Sequence, residues 1–202
     1  MTRQGPDAGT PTRLGIALKQ SLRTTPLAKV KVSALASAAG ISRQAFYYHF
    51  SSVNDLAVWV FQNEIAAHIM AHASYAAWPA GFTRLLAYMR LHKSQTYAVI
   101  DSLSHEELES FFFATLHDMM AVIVAELEGD LVLTDESRAF VIEHFTLSVL
   151  GHLLHWFAND MKPHPRILVA NIEKISRGAV RASLERFAVE TPPGLVRSRS
   201  SS

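Results

Sequence analysis

The stretch that most constrains the fold is residues 32–54, where two short helical patterns flank a glycine. In the first pattern Leu35 and Ala39 recur at helical spacing, and Ser33 is placed to cap the first turn. Gly40 follows where this helix must stop, because the residue just past a helix end is often left-handed and glycine adopts that conformation without steric cost. The pattern therefore predicts two helices joined by a tight turn.

The second helix of this pair is predicted to have an apolar inner face and an exposed outer face. Ser42 suits the N-cap, Phe46 and Phe50 anchor the inner face four residues apart, and Ile41 fills the corner between the helices. The outer face then carries Arg43, Gln44, Ala45, Tyr47, Tyr48 and His49. A buried side that fixes the angle between two helices, with donors on the exposed side of the second, is the layout of a helix-turn-helix that contacts DNA.

The charge distribution agrees with a nucleic-acid partner for this end of the chain. The whole chain has a net charge of only +1, but residues 1–52 contain seven Lys or Arg against one Asp, giving +6 there and −5 in the remainder. A basic head and an acidic body are expected if only the head contacts a polyanion.

The motif at residues 38–50, AAGISRQAFYYHF, resembles the signature of the TetR/AcrR family of one-component transcription regulators. The resemblance is strong over residues 12–65 and weaker beyond, and the stretches 25–32 and 59–65 look like the subgroup that contains the dihydroxyacetone-kinase regulators. It implies an all-α homodimer, most often a repressor, that binds a palindromic operator of double-stranded DNA. It also implies that the fourth helix links ligand binding in the body to the DNA-binding head.

Arg43 and Gln44 are the predicted contacts to base edges, because Arg suits guanine and Gln suits adenine in the major groove. By resemblance, Tyr47, Tyr48 and His49 would contact mainly phosphates and thymine methyl groups. The further candidates on the DNA side are Thr12, Lys31, Ser33, Ser42, Ala45 and Ser51.

The sequence departs from the family pattern at three positions near the recognition helix. Ser51 and Val53 stand where lysine is common, and Ala45 stands where threonine is common. Fewer phosphate contacts would weaken DNA binding and flatten its salt dependence.

The chain shows no strand-like alternation of useful length, so we predict an all-α fold. The predicted domains are a three-helix DNA-binding head at 11–52 and an effector-binding and dimerisation bundle at 53–189, with disordered tails at 1–10 and 190–202. Thr10 or Thr12 is the expected cap of the first helix. Helices of the body are expected at 55–77, 82–92, 95–102, 105–127, 135–160 and 166–187, with Trp78 to Gly81 ending the first of these.

Aromatic, Met and His positions of the body could wall an effector pocket, although for each residue alone a place in the core is the simpler interpretation. The candidates are Trp78, Phe82, Tyr97, Phe112, Phe113, His117, Met120, His152 and Trp156. As a group they favour an apolar or aromatic effector over a phosphorylated sugar, since no Arg cluster falls among them. The alternative is control by a protein partner, for which a filled interior and an exposed apolar patch would be the sign.

The helix expected at 135–160 is apolar on two sides, so it needs two partners: its own body and a second subunit. The small residues of the last helix would let a partner helix come close. The predicted interface residues are Leu147, Gly151, Leu154, His155, Ala158, Asn171, Ile175, Gly178 and Ala182.

Catalysis, cofactors and metals find little support in the sequence. It contains no Gly-rich phosphate loop, no nucleophile elbow and no HExxH motif, so no enzymatic activity or cofactor is predicted. His68 with His72, and His152 with His155, have ligand-like spacing, but carboxylates are not interleaved with them and no metal is predicted.

The composition favours a cytoplasmic protein. The chain has no Cys, which excludes disulfides and suits a reducing compartment, and its first ten residues lack the apolar segment of a signal peptide. Its most apolar run, 140–158, is interrupted by Glu143 and three His, so a buried helix is predicted there rather than a membrane span.

Overall fold

The computed structural model describes residues 9–188. Over this range it has ten α-helices, one 3₁₀ turn at Leu27–Lys29 and no strand, which confirms the all-α expectation. The helices are α1 (Thr10–Ser21), α2 (Val32–Ala38), α3 (Arg43–His49), α4 (Val53–Met70), α5 (Trp78–Leu91), α6 (Lys93–Ile100), α7 (His105–Glu128), α8 (Asp135–Ala158), α9 (Pro165–Ser176) and α10 (Ala179–Phe187). The predicted tails at 1–10 and 190–202 lie outside the described residues, apart from Gly9 and Thr10.

Residues 9–188 divide into two compact units, the first formed by residues 9–67 and 89–108 and the second by 68–88 and 109–188. The first unit extends beyond the head expected at 11–52, because later helices add to the same core. Leu56 and Ala57 of α4 and Val99 of α6 are buried there together with residues of α1, α2 and α3.

The core of the first unit is built from fully buried side chains of four helices. Leu14, Leu35, Phe46 and Leu56, from α1, α2, α3 and α4 in turn, each have no exposed surface. Helices α1 and α4 approach closely at Gly15, where a Cβ atom would stand 3.1 Å from Val60 Cγ2. This packing fixes the position of α3 relative to α1, α2 and α4.

Two helix starts differ from the prediction. Helix α2 begins one residue before Ser33, with Lys31 at the N-cap and no side-chain cap, and α1 begins at Thr10, after Gly9. The capping roles predicted for Ser33 and for Thr10 or Thr12 are therefore wrong. Burial explains the position of Thr10, which is only 4% exposed and accepts a hydrogen bond from Arg13 at 3.2 Å.

The breaks between helices of the second unit also differ from the prediction. Helix α4 ends at Met70 rather than residue 77, and Trp78 to Gly81 form the first turn of α5 instead of ending α4. The Ser74 hydroxyl explains this start, because it accepts the Ala77 N–H at 3.1 Å. The predicted single helix at 166–187 is split into α9 and α10.

The split between α9 and α10 lies at Gly178, whose φ of +75° is left-handed backbone that side chains disfavour. Its N–H donates to the Tyr75 hydroxyl at 3.1 Å, and the Tyr75 N–H donates to Glu126 at 2.8 Å. Arg181 of α10 then donates to the Leu127 carbonyl oxygen at 2.7 Å, at the end of α7. The link between α4 and α5, the end of α7 and the α9–α10 break are thus tied together.

Helix α7, and not the run at 140–158, is long and apolar enough to cross a membrane on length and composition alone. Of its most apolar window, 44% is buried, and core helices pass the same test. Its inner face includes Phe112, Leu116 and Val124, none of which has exposed surface. These residues place one face of α7 in the core of the second unit.

Candidate nucleic-acid interface and effector cavity

The turn between α2 and α3 is closed by hydrogen bonds that require a left-handed residue. Gly40 has a φ of +68°, its N–H donates to Ser37 O at 3.1 Å, and the Ile41 N–H donates to Ala36 O at 2.9 Å. These two bonds form a Schellman motif, which satisfies carbonyl groups at the end of α2. The structure confirms the stop that Gly40 predicted, and Ile41 packs on the core as expected.

Helix α3 is fixed from its start and along its inner face. The Ser42 hydroxyl accepts the Ala45 N–H at 3.0 Å, which confirms the predicted N-cap. Phe46 is fully buried, with its ring centroid 6.0 Å from that of Phe50, and Phe50 lies 5.7 Å from Trp59. The outer face of α3 is therefore held in one orientation by the core.

That outer face is open to solvent. Tyr48 is 86% exposed and Tyr47 is 52% exposed, Arg43, Gln44 and His49 are exposed, and Ala45 is half-buried. Tyr48 and His49 pack edge to face at 5.1 Å between ring centroids. A short helix that exposes a guanidinium, an amide, two phenols and an imidazole offers donors for base edges and phosphates.

The part of the chain that contains α3 is rich in exposed basic residues. Residues 9–52 contain six Lys or Arg, all exposed, and no Asp or Glu. Among the predicted phosphate contacts, Thr12, Lys31 and Ser33 are exposed. Such a surface attracts a polyanion through its Lys and Arg side chains.

Ser51 is already engaged within the chain. Its N–H and its hydroxyl donate to Asp55 Oδ2 at 2.8 and 3.0 Å, and Asp55 in turn donates its N–H to the Ser52 hydroxyl at 3.1 Å. This arrangement caps α4 and places a carboxylate beside Ser51. The hydroxyl hydrogen of Ser51 is therefore already used within the chain, and a phosphate would have to displace Asp55 to accept it.

The second unit contains a cavity of about 260 Å³ near the α9–α10 break. It is lined by Tyr75, Ala76, Trp78, Met119, Met120, Ile123, Val149, Glu173, Ser176, Arg177 and Val180. Arg177 donates to Glu173 Oε1 at 2.5 Å, and this hydrogen bond raises the pKa of the guanidinium. The cavity thus combines apolar walls with a polar rim.

Only Trp78 and Met120 of the nine predicted effector residues line this cavity. Phe112 and Trp156 are core residues, with Phe112 5.7 Å from Phe157 and the Trp156 indole donating to Pro163 O at 2.8 Å. Tyr97 belongs to the first unit. The other four lie elsewhere in the second unit: Phe82 is buried, Phe113 and His117 are half-buried with their rings 5.8 Å apart, and His152 is exposed.

The polar rim of the cavity is not among the effector residues predicted from the sequence. Glu173, Ser176 and Arg177 were expected in the middle of a continuous helix, so they had no predicted role. The available signal was Gly178, which follows Arg177 and is the residue type that ends helices. It was interpreted instead as a small contact residue of the dimer.

His68 and His72 are engaged in hydrogen bonds within the second unit. His68 Nε2 lies 3.0 Å from Gly81 O, and His72 Nδ1 lies 2.8 Å from His68 O. Arg84 approaches His72 Nε2 at 2.5 Å. Within residues 9–188 no three His, Cys, Asp or Glu side chains are grouped to hold a metal ion.

Helices α8 and α9 expose apolar side chains on their outer faces. Leu147 is 48% exposed and Ile175 is 71% exposed, and among residues 9–188 no atom from outside the surrounding turns of α8 lies within 4 Å of a Cβ placed on Gly151. His155, Ala158 and Asn171 are exposed as well, whereas Leu154 and Ala182 are half-buried and Gly178 occupies the helix break. Most of the predicted interface residues therefore lie on exposed parts of α8 and α9.

Two family profiles match the chain. Residues 19–58 match "Bacterial regulatory proteins, tetR family", and residues 76–178 match "Transcriptional regulator C-terminal region". Together they span the helix-turn-helix and the greater part of the helices that follow.

Individual relatives agree with these profiles. The chain is 24% identical over 130 residues to the HTH-type dhaKLM operon transcriptional activator DhaS of Lactococcus lactis subsp. lactis (strain IL1403). The aligned stretch covers 63% of this chain and 68% of the relative. A solved structure of the dihydroxyacetone kinase operon activator DhaS superposes with a TM-score of 0.58 at 20% identity, over 89% of this chain and 98% of that one. The likeness to dihydroxyacetone-kinase regulators noted in the sequence is thus found again in both comparisons.

The capped and core-anchored α3, the basic surface around it and the two matching profiles lead to one assignment. The second profile alone matches half of the chain. The chain belongs to the TetR family of bacterial regulatory proteins, which are DNA-binding transcription regulators and not enzymes.

Proposed function

We propose that the chain is a cytoplasmic, homodimeric regulator that binds a palindromic operator through α3 and is controlled by a small effector bound in its second unit. The exposed outer face of α3 is the observation that carries the proposal. Phe46 on its inner face is fully buried and Tyr48 on its outer face is 86% exposed. The core therefore anchors α3, and its outer face remains accessible to a partner. A recognition helix needs both a fixed orientation and an accessible face to enter a major groove.

Arg43 and Gln44 would read base edges. They occupy the first two positions of α3, and recognition helices contact bases with their N-terminal residues. Arg pairs with guanine and Gln with adenine through bidentate hydrogen bonds. Tyr47, Tyr48 and His49, which are also exposed, would contact phosphates and thymine methyl groups.

The dimer would form through the exposed faces of α8 and α9. Exposed Leu147 and Ile175 supply apolar area, and the empty space beside Gly151 leaves room for a helix of a second copy. Two copies related by a two-fold axis would present two α3 helices to a palindrome, with centres roughly 34–36 Å apart or a multiple of that distance.

The cavity of the second unit supports control by a small effector rather than control by a protein partner alone. Its volume of about 260 Å³ is just below the range of roughly 300–1,000 Å³ typical of ligand sites. An effector would act by binding one of two states better, and that state would have the different affinity for DNA. Helix α4 would transmit the change, since it continues from the DNA-binding region to residue 70.

Activation is the second candidate for the direction of control. Repression is the commoner role in proteins of this type, but both similar proteins reported above carry the name activator. A reporter gene fused to the upstream DNA decides between the two: deletion of the regulator raises expression if it represses and lowers expression if it activates.

Footprinting of the chain's own upstream DNA tests operator binding. The purified protein is titrated at two salt concentrations against this DNA and against random DNA of equal length. We expect a protected palindrome and a steep loss of affinity with salt, because binding releases counterions from the contacted phosphates. Protection no better than on random DNA would contradict specific binding at that site.

A further inference from the structure

The cavity at the α9–α10 break has room for a small molecule. An engineered apolar cavity of roughly 150 Å³ holds benzene, which has six heavy atoms. By proportion, the 260 Å³ of this cavity suits a molecule of about ten heavy atoms. A single substituted ring or a short branched chain has this size.

The walls of the cavity divide into an apolar side and a polar side. The apolar side consists of Trp78, Met119, Met120, Ile123, Val149 and Val180. The polar side is formed by Glu173, Ser176 and Arg177 at the end of α9 and by Tyr75 from the link between α4 and α5. A ligand that fits both sides has a compact apolar body and one polar group at its end.

Hydrogen-bonding capacity on the polar side favours an acceptor. The Tyr75 oxygen already accepts the Gly178 N–H, so its own hydrogen is directed elsewhere. Arg177 uses one of its N–H groups on Glu173, and a guanidinium has five such groups in a fork that also suits a second carboxylate. Arg177 occupies one oxygen of the Glu173 carboxylate, and the donors on this side are the Tyr75 and Ser176 hydroxyls and the remaining N–H groups of Arg177.

We propose that this cavity binds a compact monocarboxylate with an aromatic or branched aliphatic body, whose carboxylate pairs with Arg177 and accepts a hydrogen bond from Tyr75. This inference rests on the proposed function, since the monocarboxylate would be the effector. The apolar body would contact Trp78 and the Met side chains of α7. It refines the apolar or aromatic effector expected from the sequence, because the structure brings an Arg to a pocket where the sequence showed none.

The position of the cavity also indicates how such a ligand acts. A bound carboxylate would pair with Arg177, the residue that directly follows α9, and the last turn of α9 carries the exposed Ile175. Tyr75 meanwhile belongs to the segment that follows α4. Ligand binding would therefore reach the proposed dimer face and the helix leading to the DNA-binding residues from one place.

Isothermal titration calorimetry of the full chain with three matched probes tests the proposal. Phenylacetate, phenylacetamide and phenethylamine share one body and differ in the charge of the end group. We expect phenylacetate to bind roughly tenfold or more tighter than the other two, as hydrogen bonds to charged groups are the stronger ones. Arg177→Gln should abolish the preference for the acid, and Lys174→Gln, which removes an exposed charge of α9 outside the cavity lining, should keep it.

A second variant separates binding in the cavity from binding elsewhere. Ala76 is exposed at the cavity mouth, so Ala76→Phe should block all three probes without lowering the temperature of unfolding. Equal affinity for acid and amide, retention of the acid preference in Arg177→Gln, or no binding of any probe would each overturn the proposal.

Footprinting of the upstream DNA distinguishes failure of the monocarboxylate site from failure of the proposed DNA-binding function. A protected operator together with absent or non-selective probe binding would overturn the monocarboxylate site and leave the regulator standing. Acid-selective binding that depends on Arg177, without protection of any operator, would support the site and count against its role in DNA release.

Discussion

The outer faces of α3 and α8 are both exposed, yet they differ in chemistry. Helix α3 exposes Arg43, Gln44 and the phenol of Tyr48, and it lies in a stretch without carboxylates. Helix α8 exposes Leu147 and leaves open space at Gly151. The first face offers hydrogen-bond donors and positive charge, and the second offers apolar area and close approach.

This difference shows how one all-helical chain would serve two kinds of partner. Donors held on a rigid helix suit the edges of base pairs and the phosphates around them. Exposed apolar and small side chains suit another helix of the same kind, because removal of apolar surface from water drives association. Variants that change one face and spare the other test whether the two roles are separate.

The largest expected effect comes from the inner anchor of α3. Phe46→Ala should lower the free energy of unfolding by about 3–5 kcal/mol, because Phe46 is fully buried and its removal leaves a cavity. Tyr48→Ala is the matched control on the outer face, where we expect a change within about 0.5 kcal/mol. Urea unfolding of both variants measures this difference, and equal losses would mean that α3 has no distinct inner and outer side.

Base readout by the outer face of α3 is tested by two charge removals. Arg43→Ala should cost about 1–3 kcal/mol of operator affinity and relax specificity at one base pair, whereas Lys31→Ala should weaken binding to all sequences alike and reduce the salt slope by about 1. Fluorescence anisotropy on operator and random duplexes measures both effects. An equal loss on the two DNAs for Arg43→Ala would contradict base contact.

The outer face of α8 is tested at its most open position. Gly151→Leu should weaken the dimer by about 1–3 kcal/mol, because a branched side chain there overpacks the face where the partner helix is proposed to lie. Ala114→Leu, at an exposed position of α7, is the control for added apolar bulk. Sedimentation analysis over a concentration series measures the dimer, and an unchanged mass for Gly151→Leu would place the interface elsewhere.

The smallest effects come from single methyl groups at two glycines. Gly40→Ala should destabilise by about 1–2 kcal/mol, because its φ of +68° is strained for any residue with a Cβ atom although no neighbour lies within 4 Å. Gly151→Ala should instead stabilise the monomer by about 0.5–1 kcal/mol, since Ala favours a helix interior. Thermal unfolding compares them, and the same sign for both would contradict the different backbone roles.

The sequence predicted the helix-turn-helix in detail because the signals there are local. The Ser42 cap spans three residues, and the Gly40 turn is closed by bonds between residues 36 and 41. Even there, the start of α2 was misplaced by the expectation of a Ser33 cap. Short-range hydrogen bonds follow residue type closely, so their positions can be predicted before any tertiary contact is known.

The cavity could not be predicted in the same way, because contacts between distant residues form it. The hydrogen bond between Tyr75 and Gly178 spans 103 residues, and the Tyr75 N–H reaches Glu126 across 51. Apolar residue type alone did not separate Trp78 and Met120, which line the cavity, from Phe112 and Trp156, which fill the core. The breaks before α5 and at Gly178 bring Tyr75 and Arg177 to the cavity, and hydrogen bonds between distant residues hold both breaks.

Selection of binding sites from a random duplex library by the purified protein measures whether two copies of α3 read DNA together. We expect enrichment of an inverted repeat whose half-site centres lie one helical turn apart, roughly 34–36 Å, or a multiple of it. Tyr48→Ala and Arg43→Ala should each reduce the enrichment. No enriched sequence, or a single site without an inverted partner, would contradict a dimer that reads DNA through two copies of α3.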